Sequence, residues 1–385
     1  MDADTLPKTR VPRARWRPEG CDRIALVLQG GGALGAYQAG VYQALHEAGL
    51  EPDWIAGVSI GGINAAIIAG NPSEYRVERL REFWEMVTDR RIWPYTPDGD
   101  DPRKARNAWS STMTMLLGQP GFFTPQVPNP WLSLRGSKTA TSFYDSSPLR
   151  ETLSRLVDFE LLNRRETRFA CGAVNVMNGN FAYFDTTMTR IILEHVMASA
   201  ALPPALPMIN IGTDHYWDGG LVSNTPLQHV LENTRSEKIL VFQVDLFSAR
   251  GNLPRDMYDV LARQKDIQYS SRTRLVTDYF RKRHAADLFL RRVLDKVPED
   301  LLTDDEREAK RRLGEIPEAA IVHLIYQQTA YETQAKDYEF SRTSMHEHWE
   351  AGYRDTVRTL RHQDWLTIPA TDSGIIVHDV HRLDD

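Results

Sequence analysis

Short, unbroken apolar runs separated by amphipathic stretches set the rhythm of the first half of the chain. Ile24-Ala25-Leu26-Val27-Leu28 and Trp54-Ile55-Ala56-Gly57-Val58 contain no charged residue. Each predicts a strand buried on both faces of a parallel sheet. Between them the spacing predicts a helix from about Leu34 to Ala48, stopped at Gly49. A second helix, Gly61 to Ala69, ends at Gly70-Asn71-Pro72, and Val77, Leu80, Trp84 and Val87 form the buried stripe of a third. This order predicts a layered α/β fold with a central, mainly parallel sheet.

The pattern then changes. Residues 90–145 mix prolines and glycines with Trp93, Trp109, Trp131, Met113, Met115, Phe122 and Phe123. They read as one long irregular segment, and such segments in compact domains commonly act as lids. Its aromatic and Met side chains suit an acyl-chain pocket, or simple packing on the core. Regular structure resumes with a helix opened by Ser147-Pro148, a strand Phe169 to Val176, and a hairpin turn at Asn178-Gly179 into Phe181 to Phe184. A helix from Ile191 to Ala200 and strands near Ile209-Ile211, Tyr216-Trp217 and Ile239-Leu246 follow. Beyond Gly251 the chain reads as helical and charge-rich to about Gln363, closing with the strand-like Gly374-Val377.

Composition narrows the class. The 385 residues, 42% hydrophobic and 25% charged with a net charge of −6, fit a globular protein and give no global signal for nucleic acid. Charge is uneven, because Arg250 to Lys296 holds twelve Lys/Arg against six Asp/Glu. That stretch is expected to make peripheral contact with an anionic membrane, or else to be a solvated helical face. Two cysteines, Cys21 and Cys171, imply no disulfide framework and suit a cytoplasmic setting. No signal peptide or transmembrane helix is expected. The expected organisation is a disordered basic arm at 1–20, a catalytic domain at 21–250, and a mainly helical extension at 251–385. Oligomeric state is not legible.

Chemistry concentrates at three glycine-rich turns. Gly30-Gly31-Gly32-Ala33-Leu34-Gly35 follows the first strand, where backbone N–H groups can crowd around a point of negative charge. Ser59 follows the second strand within Gly57-Val58-Ser59-Ile60-Gly61, the strand–turn–helix setting of a nucleophile elbow. Asp218 ends an apolar stretch and precedes Gly219-Gly220. A serine hydroxyl needs a base, yet none of the eleven histidines stands in a convincing motif. His195, His215 and His229 fall on helices or turns where structural roles prevail.

Together these turns resemble the glycine-rich oxyanion loop, the nucleophile elbow and the Asp-Gly-Ala/Gly motif of the patatin-like phospholipase family. The likeness covers roughly Arg23 to Leu246 and includes Ser146-Ser147-Pro148-Leu149 and Met197 to Pro203. It implies that Ser59 is the nucleophile and Asp218 the base of a Ser–Asp dyad, and that Gly30, Gly31 and Gly32 donate to the oxyanion. Gly35, Gly57, Gly61, Gly219 and Gly220 would support the motifs. The substrate would be a lipid or other acyl ester, with no metal or cofactor. Gln29 departs from the acidic or other polar residue common before the glycines. The charged C-terminal part resembles an extension in a bacterial subset of the family.

Other readings compete. The glycine run also fits the dinucleotide fingerprint, but Glu51 and Asp53 precede the second strand, where a ribose ligand should end it. A Ser–His–Asp α/β-hydrolase would place several strands before its elbow, and here one precedes Trp54. A catalytically silent lipid- or granule-binding protein would have no need of Ser59, Asp218 and the glycines together.

Overall fold

A computed structural model describes residues 6, 8–89, 97–234, 237–314, 318–368 and 374–379, with the side chains of 271–274 and 314 left out. Trp93 lies outside the described residues. The strands are β1 (Arg23–Leu28), β2 (Trp54–Val58), β3 (Thr124–Pro125), β4 (Tyr144–Asp145), β5 (Arg168–Asn175), β6 (Phe181–Asp185), β7 (Ile209–Ile211), β8 (Asp214–Asp218), β9 (Lys238–Asp245), β10 (Glu318–Ile325) and β11 (Ile375–Asp379). The helices are α1 (Ala36–Glu47), α2 (Ile60–Ala69), α3 (Arg76–Val87), α4 (Asp100–Leu117), α5 (Ser147–Leu156), α6 (Phe159–Asn163), α7 (Leu193–Ser199), α8 (Leu227–Glu232), α9 (Met257–Leu294), α10 (Asp304–Gly314) and α11 (Arg342–Thr359).

Nine strands form one sheet in the order β11-β10-β9-β1-β2-β5-β8-β7, with β6 also on β5. From β11 to β5 every pairing is parallel, and β6, β7 and β8 join antiparallel. The pleat divides β1 cleanly: Ile24, Leu26 and Leu28 enter one core cluster, while Ala25 and Val27 enter the other. Leu34, Tyr37, Ile63, Phe83 and Trp349 fill the first cluster from their helices, and Leu227, Val230 and Phe280 fill the second. Both faces of the sheet are thus covered, which is why its strands carry continuous apolar runs.

The break expected at residue 250 does not interrupt the sheet. β10 adds in register to β9, with Ala319 opposite Ile239 and Leu324 opposite Val244, and β11 adds to β10. α11 packs on α1 at a glycine-to-glycine crossing. A Cβ on Gly40 would strike the carbonyl of Trp349, and one on Gly352 would strike that of Tyr37. Trp349 Nε1 donates to Gln43 at 2.7 Å and Tyr353 Oη to Glu47 at 2.7 Å. The chain after residue 250 is therefore part of the same core, not an appended helical unit.

Two smaller differences bear on the site. Residues 8–20, expected as a disordered arm, lie along α1, with Arg13 N bonded to Glu47 O and Trp16 N to Gly49 O, both at 3.1 Å. Arg15 and Arg17 both reach Asp53 at 2.7 Å. Within 90–145, expected as irregular, α4 runs for 18 residues. Pro102 is tolerated there because it sits in the first turn, where no intrahelical N–H bond is lost.

Candidate active site

The topology itself brings Ser59 and Asp218 together. Ala170 to Gly172 pair with both β2 and β6, and Ala173 pairs with both β6 and β8. A strand has two edges, so β2 and β8 must share the one that β6 leaves. Val58, the last residue of β2, stands opposite Gly172, and Asp218, the last of β8, stands opposite Ala173. The two strands therefore abut end to end, and the residues that leave them meet. A Cβ on Gly219 would press against Gly172 O and Val58, so only glycine lets the second turn come this close.

Ser59 has φ 56° and ψ −128°, a left-handed conformation costly for a residue with a side chain. Its N–H donates to Ser199 O at 3.0 Å and to Ser199 Oγ at 3.2 Å. A Cβ on Gly57 would meet Gly61 O, and one on Gly61 would meet Leu28 O. The glycines flanking Ser59 are required by close backbone approach. Ser59 also caps α2, a helix of ten residues whose N-terminus favours developing negative charge.

Asp218 is buried. Its Oδ1 accepts from Gly220 N at 2.7 Å, and its Oδ2 is buried without a hydrogen-bond partner among the described residues. Burial pushes the carboxyl up to about 7, while the Ser59 hydroxyl and the Gly220 N–H favour the charged form. No hydrogen bond of ordinary geometry joins the two side chains, and such catalytic contacts commonly tighten only when substrate binds.

The glycine loop differs from expectation at one position. Gly30 N is committed to Asn224 O at 3.1 Å. Asn224 Nδ2 returns a bond to Gly30 O at 2.9 Å, so this asparagine clamps the loop. Gly31 and Gly32, the latter at φ 54°, have N–H groups without a protein acceptor among the described residues. Gln29 fixes the base of the loop. Its Oε1 accepts from Leu246 N at 2.6 Å and Phe247 N at 3.1 Å, and its Nε2 donates to Thr225 Oγ1 at 3.0 Å. A neutral amide does there what a carboxylate could not, since it donates as well as accepts. Gly35 is where Ile60 and Trp84 close on the loop.

Ser59, Asp218 and Gly30 to Gly32 line one cavity of about 820 Å³, its open mouth included. The rest of its wall is mostly apolar: Ile60, Met115, Phe122, Phe123, Leu202, Leu206, Phe247 and Phe340, with Tyr144, Tyr269 and Tyr338. Asn224, Tyr269, Asp337, Tyr338 and Phe340 escaped the sequence reading, because no motif surrounds them and the last four come from beyond residue 250. Asp337 O lies against Gly32, where a Cβ would collide with it.

Among the described residues no histidine lines this cavity. His229 pairs with Asp185 at 2.8 Å behind the sheet, where Arg168 also holds that carboxylate. His195 accepts from Ile192 N at 3.0 Å, and burial pushes its pKa down to about 4. His215 lies on β8, outside the cavity wall. Among the described residues no cluster of His, Cys, Asp or Glu could hold a metal ion. Both cysteines are buried and free. No helix among the described residues is long and apolar enough to cross a membrane.

The family model described as Patatin-like phospholipase matches residues 26–231, and one described as Patatin phospholipase matches residues 267–372. Lysophospholipase NTE1 of Saccharomyces cerevisiae is 26% identical over 251 residues, covering 62% of this chain and 12% of that protein. Lysophospholipase nte1 of Aspergillus terreus is 54% identical over 247 residues, covering 63% and 13% respectively. The chain thus spans about an eighth of the length of these curated relatives. Among solved structures, VipD from Legionella pneumophila aligns with TM-score 0.38 at 14% identity, over 94% of this chain and 72% of that one. The match over 26–231 takes in all three glycine-rich turns, and the chain belongs to the patatin-like phospholipase family.

Proposed function

We propose that this chain hydrolyses carboxylic acyl esters of phospholipids or related lipids through an acyl-enzyme on Ser59, with Asp218 as the base. The observation that carries the reading is the end-to-end meeting of β2 and β8 at the floor of an apolar cavity. Asp218 takes the Ser59 proton as Oγ attacks the ester carbonyl. The oxyanion of the tetrahedral intermediate is held by the N–H groups of Gly31 and Gly32 and by the N-terminus of α2. Collapse expels the alcohol, which carries off the proton from Asp218. Water then gives its proton to Asp218 and attacks the acyl-enzyme, releasing the fatty acid and restoring Ser59. The aromatic and Met wall suits an acyl chain. Product profiles from a mixed lipid extract, wild type beside Ser59→Ala, test the reading: fatty acid released equally by both proteins contradicts it.

Since a base must be unprotonated to act, kcat/KM is expected to rise with pH through about 7 and level off above it. Burial also pushes Asp245 up to about 7, but it lies outside the cavity. Asp245→Asn is therefore expected to leave the rise in place. A pH-independent rate in the wild type would remove Asp218 from the role of base.

The basic stretch 250–296 belongs to the same reading as a weak electrostatic contact with anionic membrane. On α9, Arg281, Lys282, Arg283 and Phe289 are exposed, while Phe280 is buried in the second core cluster. Each cation near such a surface contributes on the order of 1 kcal/mol. Reversing the charge at Arg281, Lys282 and Arg283 is expected to weaken co-sedimentation with anionic vesicles, and unchanged sedimentation would sink the idea.

A further inference from the structure

Between β3 and β4 the chain makes an excursion, residues 126–143, that is rooted in the cavity wall. Tyr144 N bonds to Ala205 O at 2.9 Å, Tyr144 Oη to Met115 O at 2.7 Å, and Gln126 N to Phe143 O at 2.9 Å. Tyr144, Ala205 and Met115 all line the cavity that holds Ser59. Within the excursion polar groups satisfy one another: Asn129 Oδ1 accepts from Trp131 N at 3.1 Å, and Thr139 donates to Ser133 at 2.9 Å.

Its large apolar side chains point the other way. Val127, Trp131, Leu132 and Leu134 are 83–86% exposed. All four fall between residues 127 and 134, a local concentration of exposed apolar groups that an isolated soluble surface does not favour. The neighbouring C-terminal turn of α4 adds Leu116 and Leu117, each more than half exposed.

Charge singles out the occupant. From Pro102 to Tyr144 there is no Asp or Glu, and Arg135 and Lys138 directly follow the apolar residues, in a chain of net charge −6. Among the described residues neither of these cations has an ion-pair partner. Exposed Trp and Leu beside unpaired cations is the mixture that enters a headgroup boundary while meeting anionic lipid.

We infer that the 126–143 excursion is a docking element that inserts Trp131, Leu132 and Leu134 into an anionic lipid surface and so sets the cavity mouth against it. The inference rests on the proposed lipid substrate, but docking and hydrolysis can be read separately. Vesicle co-sedimentation with Ser59→Ala protein, on phosphatidylcholine alone and on phosphatidylcholine mixed with phosphatidylglycerol, reads docking without turnover. Hydrolysis of a short, water-soluble ester reads the dyad without docking.

Combined Trp131→Ser, Leu132→Ser and Leu134→Ser substitutions are expected to lower binding to the mixed vesicles roughly tenfold or more, since each loses apolar burial in the interface. They should lower vesicle-substrate turnover in parallel and leave soluble-ester turnover unchanged. Arg135→Gln with Lys138→Gln should lower binding to the mixed vesicles only. Vesicle binding of the triple variant equal to that of its parent overturns the inference. So does a parent that binds no vesicle, or one whose patch is instead covered by a second copy, seen as a dimer in sedimentation that the triple variant abolishes. Docking that persists in a protein with no esterase activity would sink the proposed function and leave this element standing.

Discussion

Ser59→Ala is expected to lose ester turnover by at least roughly a thousand-fold, with labelling by a fluorophosphonate probe falling to background. Loss of the Oγ leaves the cavity, the glycine loop and Asp218 in place, so binding of lipid should survive. Folding should survive as well, because what fixes this turn is the Ser59 N–H bonded to Ser199, not the hydroxyl. An unchanged melting temperature beside absent turnover is the expected pair of results. Equal labelling of both proteins would remove Ser59 from the mechanism.

Asp218→Asn is expected to cost roughly a hundred- to ten-thousand-fold in kcat. The amide keeps the shape and can still accept from Gly220 N, but it cannot take a proton. Stability should move the other way. Folding raises the Asp218 pKa to about 7, so the wild type binds this proton more tightly when folded. Its stability therefore falls as pH rises from the ordinary carboxylate range through about 7, and the Asn variant lacks that component. Melting curves at pH values on both sides of 7 check the sign. No single substitution at His195, His215 or His229 should reproduce the kinetic loss. A dead histidine variant beside an active Asp218→Asn would replace the dyad with a triad.

The parts of this molecule legible in its sequence are those where one local rule decides. β1 and β2 are apolar without interruption because both faces are covered, and the elbow announces itself because Gly57 and Gly61 are demanded by backbone contacts within a few residues. Other features depend on distant partners. β10 carries β-branched residues at Ile321, Val322 and Ile325, but it is a short run between charged helical stretches, so the helical context masks it. Only the register against β9 makes it a strand. Gly40 and Gly352 look unremarkable until α1 and α11 cross. Tyr338 and Phe340 carry no motif, and they reach the cavity because β10 joins the sheet beside β9, sending the chain back over Gly32. Gly30 shows the same dependence: the loop's donors are backbone groups, and only the position of Asn224 shows which of them already has an acceptor.

The central claim is that an acyl group passes through Ser59 with Asp218 as its base. Rapid acid quench during turnover of a soluble ester, followed by peptide mapping by mass spectrometry, tests it most directly. An acyl mass is expected on the peptide containing Ser59 in the wild type, and none in Ser59→Ala or in Asp218→Asn. An acyl group on any other residue, or full acylation of Ser59 at an unchanged rate in Asp218→Asn, would contradict it.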